Sequence, residues 1–374
     1  MKGKGRWILI PIGKIKKTGG IMRMQKRIRD YGIVIGRHKT GALNKITDVP
    51  GVRVGHWTAD TADHKTGVTV ILPCKENIFA EKLTAAAFVH NGFGKTAGIP
   101  QIEELGTLES PIALTNTLNV GRVQDALVDY MVECCERDNV VLSSINTVVG
   151  ECNDASLNKI TERVVGIREV KEAIANASED FAEGDVGAGK GTTCFGMKGG
   201  IGSASRIVTV DEHEYHIGVL VQSNFGSTKN FVLNGKPLGE LLCEKIEEAK
   251  KDEGSIMMVV GTDLPVSDRQ LKRIIRRAGV GLSRCGSFMG HGSGDIMLGF
   301  STANRFKKDC EEGVLSVRQM REDALDDVFE AAAEATEEAI LNSLAMAKKV
   351  VGYGGNVRYS LTELYLKDFK KEDC

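Results

Sequence analysis

The chain has almost no net charge. Its 49 Lys and Arg stand against 50 Asp and Glu, which leaves -1 over 374 residues. No global electrostatic drive toward nucleic acid or anionic lipid follows, so neither is expected as a partner. No run of eighteen apolar residues occurs, so no membrane-spanning helix is expected. The nine cysteines are odd in number and include no C-x-x-C pair, which argues against a disulfide framework or a zinc ribbon and for a reducing cytoplasm. The seven histidines form no H-E-x-x-H, and no G-x-S-x-G elbow is present, so neither a metal ion nor an α/β-hydrolase triad is expected. No cofactor is called for. No solenoid-length repeat is evident.

What the chain has in excess is glycine. Average usage of about 7% would give roughly 26, and there are 43. Fifteen of them fall in two stretches, eight in residues 184–202 and seven in residues 279–299. Otherwise 42% hydrophobic and 26% charged residues are ordinary for a globular fold.

From Thr47 onward short β-branched runs alternate with turns. Val49 to Val54, Gly67 to Leu72, Ala85 to Val89 and Val140 to Val149 read as strands, and Ser205 to Val210 with His216 to Gln222 as a strand pair. Asn234-Gly235 marks a tight turn. Ser255 to Val260 and Ile296 to Phe300 are apolar runs of strand length. Helical spacing covers Gln124 to Glu136, Thr161 to Ala175, Leu238 to Lys251, a segment with Asp268 as N-cap, and Arg321 to Val350. The sum is an α/β chain. Met1 to Lys17 carries basic residues around one short apolar run broken by Pro11, too short for a signal-peptide core. Residues 1–40 are therefore expected to form a poorly defined, loosely attached leader.

Several segments could carry chemistry. Gly184 to Lys190 has the G-x-x-x-x-G-K spacing of a phosphate loop. However, Gly191 stands where a magnesium-binding hydroxyl belongs, and a polar stretch precedes it where a buried strand is required. Gly254-Ser255 puts a hydroxyl at the head of a buried strand, where it must find a partner. Gly286 to Phe300 places Ser293 and Asp295 two residues apart on a glycine-rich turn, able to face the same way in an extended segment. Asn224 closes the run Val219 to Gln222 and could donate to a developing oxyanion. Taken singly, each also reads as a turn residue bonding its own backbone.

Together these segments resemble the self-cleaving aminopeptidases of the DmpA type, which include L-aminopeptidase/D-esterases and β-peptidyl aminopeptidases. The likeness runs from Gly41 to about Thr302 and resumes near Glu334 to Ile340. It includes Gly41 to His56, Gly106 to Pro111 with Leu114 to Leu118, and Cys194 to Arg206. The resemblance implies a four-layer αββα sandwich, of the kind shared with ornithine acetyltransferase-like proteins, over residues 41–374 as one catalytic domain. It implies self-cleavage between Gly254 and Ser255, freeing Ser255 as an N-terminal nucleophile. Ser293 and Asp295 would support that nucleophile, Asn224 would donate to the oxyanion, and Glu151 would hold the substrate's ammonium. Asn153 stands where some members have a tyrosine, and Asp154 is a second candidate for the ammonium. Small peptides or aminoacyl amides are the implied substrates, acted on by an oligomer of processed heterodimers. Two alternatives stay open: acyl transfer to an amine, and an uncut protein that holds a nucleotide or partner on its glycine-rich loops.

Overall fold

The computed structural model describes residues 25–246 and 253–369. Ten strands build two sheets. In chain order they are β1 (Arg53–Asp60), β2 (Lys65–Leu72), β3 (Glu81–Gly92), β4 (Thr107–Leu108), β5 (Ile112–Asn116), β6 (Val148–Cys152), β7 (Gly200–Val210), β8 (His213–Asn224), β9 (Glu253–Thr262) and β10 (Gly292–Lys307). One sheet has the order β1-β2-β5-β6 and the other β4-β3-β10-β9-β8-β7. Five helices matter here: α1 (Val120–Arg137), α2 (Ile167–Ala175), α3 (Asp268–Ile275), α4 (Ala278–Arg284) and α5 (Asp326–Ala345).

Three apolar cores separate four layers. Val68, Val70, Ala113 and Val149 of the smaller sheet pack on Val123 and Leu127 of α1 and Val170 and Ala173 of α2. The sheets meet through Ile71, Leu114 and Val148 on one side and Leu220, Met257, Val259, Ile296 and Leu298 on the other. The outer face of the larger sheet, with Val219, Val221, Met258, Val260 and Met297, packs on Leu271, Ile274, Leu282, Ala332 and Ile340. This is the αββα sandwich. Strand β9 is buried on both faces, Met257 and Val259 toward the other sheet and Ile256, Met258 and Val260 toward the helices. Such a strand reads as an unbroken apolar run, which is what Ser255 to Val260 shows.

The N-terminal expectation is corrected from residue 25 onward. Ile28, Ile33 and Ile35 are at most 2% exposed, each burial contributing on the order of 1.5–3 kcal/mol. Arg27 pairs with Glu183 at 2.9 Å and Arg29 with Glu338 at 2.7 Å. Beneath them Arg206, with no exposure, pairs with Glu334 at 3.0 Å and Glu338 at 2.7 Å. The segment thus covers α5, which is buried nearly all round and carries Glu334 and Glu338 among its buried residues. Residues 1–24 lie outside the described residues.

Element bounds shift elsewhere. The Val140 to Val149 run forms a strand only from Val148, and the helix expected from Thr161 begins at Ile167 after a 3-10 turn at Ile160–Glu162. The Leu238 to Lys251 helix is described only as Gly239–Cys243, with residues 247–252 outside the description. Helix α5 spans less than Arg321 to Val350. The N-cap of α3 is Ser267, whose hydroxyl accepts from the Gln270 N–H, and Asp268 is the first helical residue. Asn234 and Gly235 do form the tip of a hairpin, both with positive φ.

Candidate active site

The site lies where β6 of one sheet and the facing ends of β8, β9 and β10 of the other meet. Antiparallel pairing sets Ser255 opposite Asn224, and parallel pairing sets Gly254 beside Ser293, Ser255 beside Gly294 and Ile256 beside Asp295. A cleft of about 750 Å³ opens there. Ser255, Gly254, Asn224, Glu151 and Asn153 line it, together with Phe93, Lys95, Thr117, Thr193 and His291.

Sterics fix the residue before Ser255. Gly254 has φ +155, and a Cβ on it would lie 2.0 Å from the Asn224 carbonyl oxygen, so only glycine fits without moving β8. Gly294 serves Ser255 from the other side. A Cβ there would come within 3.4 Å of the Ser255 Cβ and 2.6 Å of the Phe93 carbonyl oxygen.

The Ser293 hydroxyl donates to Asp295 Oδ1 at 2.8 Å, and both side chains are buried. Its proton is thereby committed and its lone pairs are left as acceptors. Register places this pair beside the Gly254–Ser255 peptide, with Gly294 as the residue facing Ser255 itself. Asn224 is 6% exposed, and its Oδ1 accepts from the Thr193 N–H at 2.9 Å. That bond turns the Nδ2 donor the other way, as an oxyanion donor must be turned.

Lys198 holds the loop that bears Thr193. It is fully buried, and its Nζ donates to the carbonyls of Gly189, Thr192 and Gly199 at 2.8, 2.7 and 2.7 Å. Burial is the main cause that lowers its ammonium to about 7.

On the opposing sheet, the Glu151 carboxylate is 4% exposed. It accepts from the Lys95 backbone N–H at 3.0 Å and, through the other oxygen, from the Thr117 hydroxyl. Parallel pairing of β5 with β6 brings the Thr117 end of β5 alongside Glu151. A buried carboxylate at the edge of a cleft is suited to a cationic ligand group. Next to it, the Cys152 thiol donates to the carbonyls of Gln222 and Ser255 at 3.4 and 3.5 Å, linking the two sheets at the site. Burial pushes that thiol far above its ordinary range.

A serine at a glycine-bounded strand start, an aimed amide and a buried carboxylate facing them can perform acyl transfer from a substrate with a free amine. The sequence matches Peptidase family S58 over residues 44–358. The chain belongs to peptidase family S58. It is 38% identical over 371 residues to the beta-peptidyl aminopeptidase BapA of Sphingosinicella microcystinivorans, covering 92% of each chain. Among solved structures, the PH0078 protein from Pyrococcus horikoshii OT3 is 46% identical with a TM-score of 0.86, covering 91% of this chain and 98% of that one. The L-aminopeptidase D-ala-esterase/amidase from Ochrobactrum anthropi, described as a prototype serine aminopeptidase with a variant Ntn hydrolase fold, is 33% identical with a TM-score of 0.83 over 90% and 95%. This S58 peptidase is accordingly a serine aminopeptidase, a hydrolase, with the fold that its sequence resemblance implied.

Other expected residues fare differently. Asn153 lines the cleft but spends its Oδ1 on the Ala155 N–H at 2.9 Å, closing a local turn. Asp154 is fully buried, bonded to Asn158 at 2.9 Å, and raised to about 7 chiefly by burial, so it does not present itself to an ammonium in the cleft. The phosphate-loop spacing is packing: Lys190 pairs with Asp60 at 2.8 Å and Asp185 at 2.9 Å, and a Cβ on Gly191 would lie 1.9 Å from the Lys65 carbonyl oxygen. That removes the basis for a nucleotide on this loop. Sequence reasoning missed Lys95, Thr117 and Thr193. Gly92 to Lys95, a glycine-spaced turn between a strand and a helix, was the available signal for the first of these.

Proposed function

We propose that Ser255 is freed by self-cleavage and then removes N-terminal residues from small peptides, aminoacyl amides or esters. In the first event the Ser255 Oγ attacks the Gly254 carbonyl carbon, its proton passing through Ser293, relayed by Asp295, to the Ser255 nitrogen, which leaves as an amine, and water opens the resulting ester. The new α-amino group has a reference pKa of roughly 7.7–8.0, which suits a general base near neutral pH. The Ser293 hydroxyl, its proton held by Asp295, accepts from that amine and orients it. Register beside the Gly254–Ser255 peptide supports this role.

In turnover the Ser255 Oγ attacks the carbonyl of the substrate's N-terminal residue. Asn224 Nδ2 stabilises the oxyanion, the amine leaves, and water releases the acyl group. Glu151 binds the substrate ammonium, with Asn153 at the cleft edge. The observation that carries the proposal is the opposition of Ser255 and Asn224 across one cleft from a buried Glu151. All eight described cysteines are free, which supports a cytoplasmic setting, and the family resemblance implies an oligomer of processed heterodimers as the working form.

Paired substrates test this reading. An alanyl amide with a free amine should be hydrolysed and its N-acetyl counterpart should not, while Ser255→Ala should hydrolyse neither. Equal turnover of both, or an active Ser255→Ala, would sink it.

A further inference from the structure

The cleft carries a positive charge for which the proposed chemistry has no use. Among its described lining residues the one carboxylate is Glu151, and Lys95 and His291 are basic. Lys95 is built in at its backbone: its own N–H holds Glu151, and two residues later Ala97 exchanges backbone hydrogen bonds with Val149 of β6 at 2.9 and 3.3 Å. The side chain departs from that anchor. Its Nζ lies 4.9 Å from the centroid of the Phe93 ring and makes no ion pair with Glu151 or with any other described carboxylate. One turn of chain therefore presents a carboxylate, held by the Lys95 main chain, and an ammonium carried away from it, both facing the same cleft.

That pairing is complementary to a short zwitterion. A substrate whose ammonium sits on Glu151 and whose carbonyl meets Ser255 directs its leaving group along the cleft. In a dipeptide the terminal carboxylate follows within about 7 Å of the ammonium, at roughly 3.3–3.6 Å per residue. We propose that Lys95 binds the C-terminal carboxylate of the substrate, so that the preferred substrates are dipeptides with a free acid terminus, ahead of the corresponding amides and of longer peptides. This rests on the assignment of Ser255 and Glu151 made above.

The test takes alanyl-alanine and its C-terminal amide, with L-, D- and β-alanyl N-termini, and forms the acid-to-amide ratio of kcat/KM within each pair. Exposed ion pairs are worth up to about 1 kcal/mol, or about fivefold. Lys95→Met should therefore lower the ratio about fivefold, Lys95→Glu should lower it further, and Lys95→Arg should keep it. Lys95 is exposed, so these variants should fold. If wild type hydrolyses these peptides with a ratio unmoved by Lys95→Met and Lys95→Glu, the carboxylate site is overturned and the Ser255 assignment stands. Wild type that hydrolyses none of them overturns both.

Discussion

In residues 184–202 the glycines lie where main chains touch. A Cβ on Gly191 would sit 1.9 Å from the Lys65 carbonyl oxygen, and one on Gly202 would sit 2.0 Å from that of Ala339 on α5. Residues 279–299 use glycine differently at their functional end, where Gly294 leaves room between the Phe93 carbonyl and Ser255. The first stretch welds layers together and, through Lys198 and Thr193, aims Asn224. In the second, Gly294 leaves room beside Ser255, while Gly281 and Gly286 again meet main-chain carbonyls, those of Ala333 and Asn230. The same compositional excess thus serves packing at most of these positions and access at Gly294, and the two can be separated by substitution.

The largest effect belongs to the residue that the first stretch aims. Asn224→Ala should lower kcat about 100- to 1,000-fold, the usual cost of one oxyanion donor, with little change in melting temperature. Steady-state kinetics beside a thermal melt checks this, and loss of stability matching loss of rate would recast Asn224 as a packing residue.

Next come the glycines themselves. Gly191→Ala forces a methyl against the Lys65 backbone and, at 2.8 Å, the Asp154 Cβ. It should cost about 1–3 kcal/mol of stability, as overpacking does, while the folded fraction keeps its kcat. Gly294→Ala should invert that pattern, lowering kcat more than stability, because the close contact, 2.6 Å to the Phe93 carbonyl, is with a loop at the cleft that can yield, and the added methyl lies against the Ser255 Cβ. Similar stability losses in both variants would erase the distinction.

The smallest effect is a pH dependence beside the welded stretch. Burial raises the Asp154 carboxyl from 3.8 to about 7 in the folded protein. A folded value above the unfolded one favours folding fully below pH 3.8, and this contribution is lost as pH rises toward 7. Relative to Asp154→Asn, wild type should therefore lose stability between pH 4 and 7, by at most about 1.4 kcal/mol per pH unit, and not further above 7. Denaturant titrations of both proteins across that range give the slope. A difference constant with pH would mean that Asp154 is ionised throughout.

Much of this architecture was legible before the structure, and the reasons are local. Strand β9 showed itself because a strand buried on both faces must be continuously apolar. Ser255 stood out because a hydroxyl at the head of a buried strand needs a partner, and Ser293, Asp295 and Asn224 gained their roles from the family resemblance. Helix α5 was visible by its spacing, but its burial on all sides was not, since that depends on residues 25–48 crossing over it. Residues 25–40 fell within the expected loosely attached leader, whereas Arg27 and Arg29 are paired across the fold. Thr193 was invisible because it acts through its backbone N–H, which carries no sequence signature, and the Gly92 to Lys95 turn was the one hint of Lys95.

The central claim is that the 374-residue chain is the precursor of a cut protein, and the most direct measurement is denaturing electrophoresis with N-terminal sequencing of active enzyme. The account expects two chains, of 254 and 120 residues, the smaller beginning Ser255-Ile256-Met257, and one uncut chain from Ser255→Ala. A single full-length chain in fully active wild type, or a small chain beginning at any other residue, would contradict it.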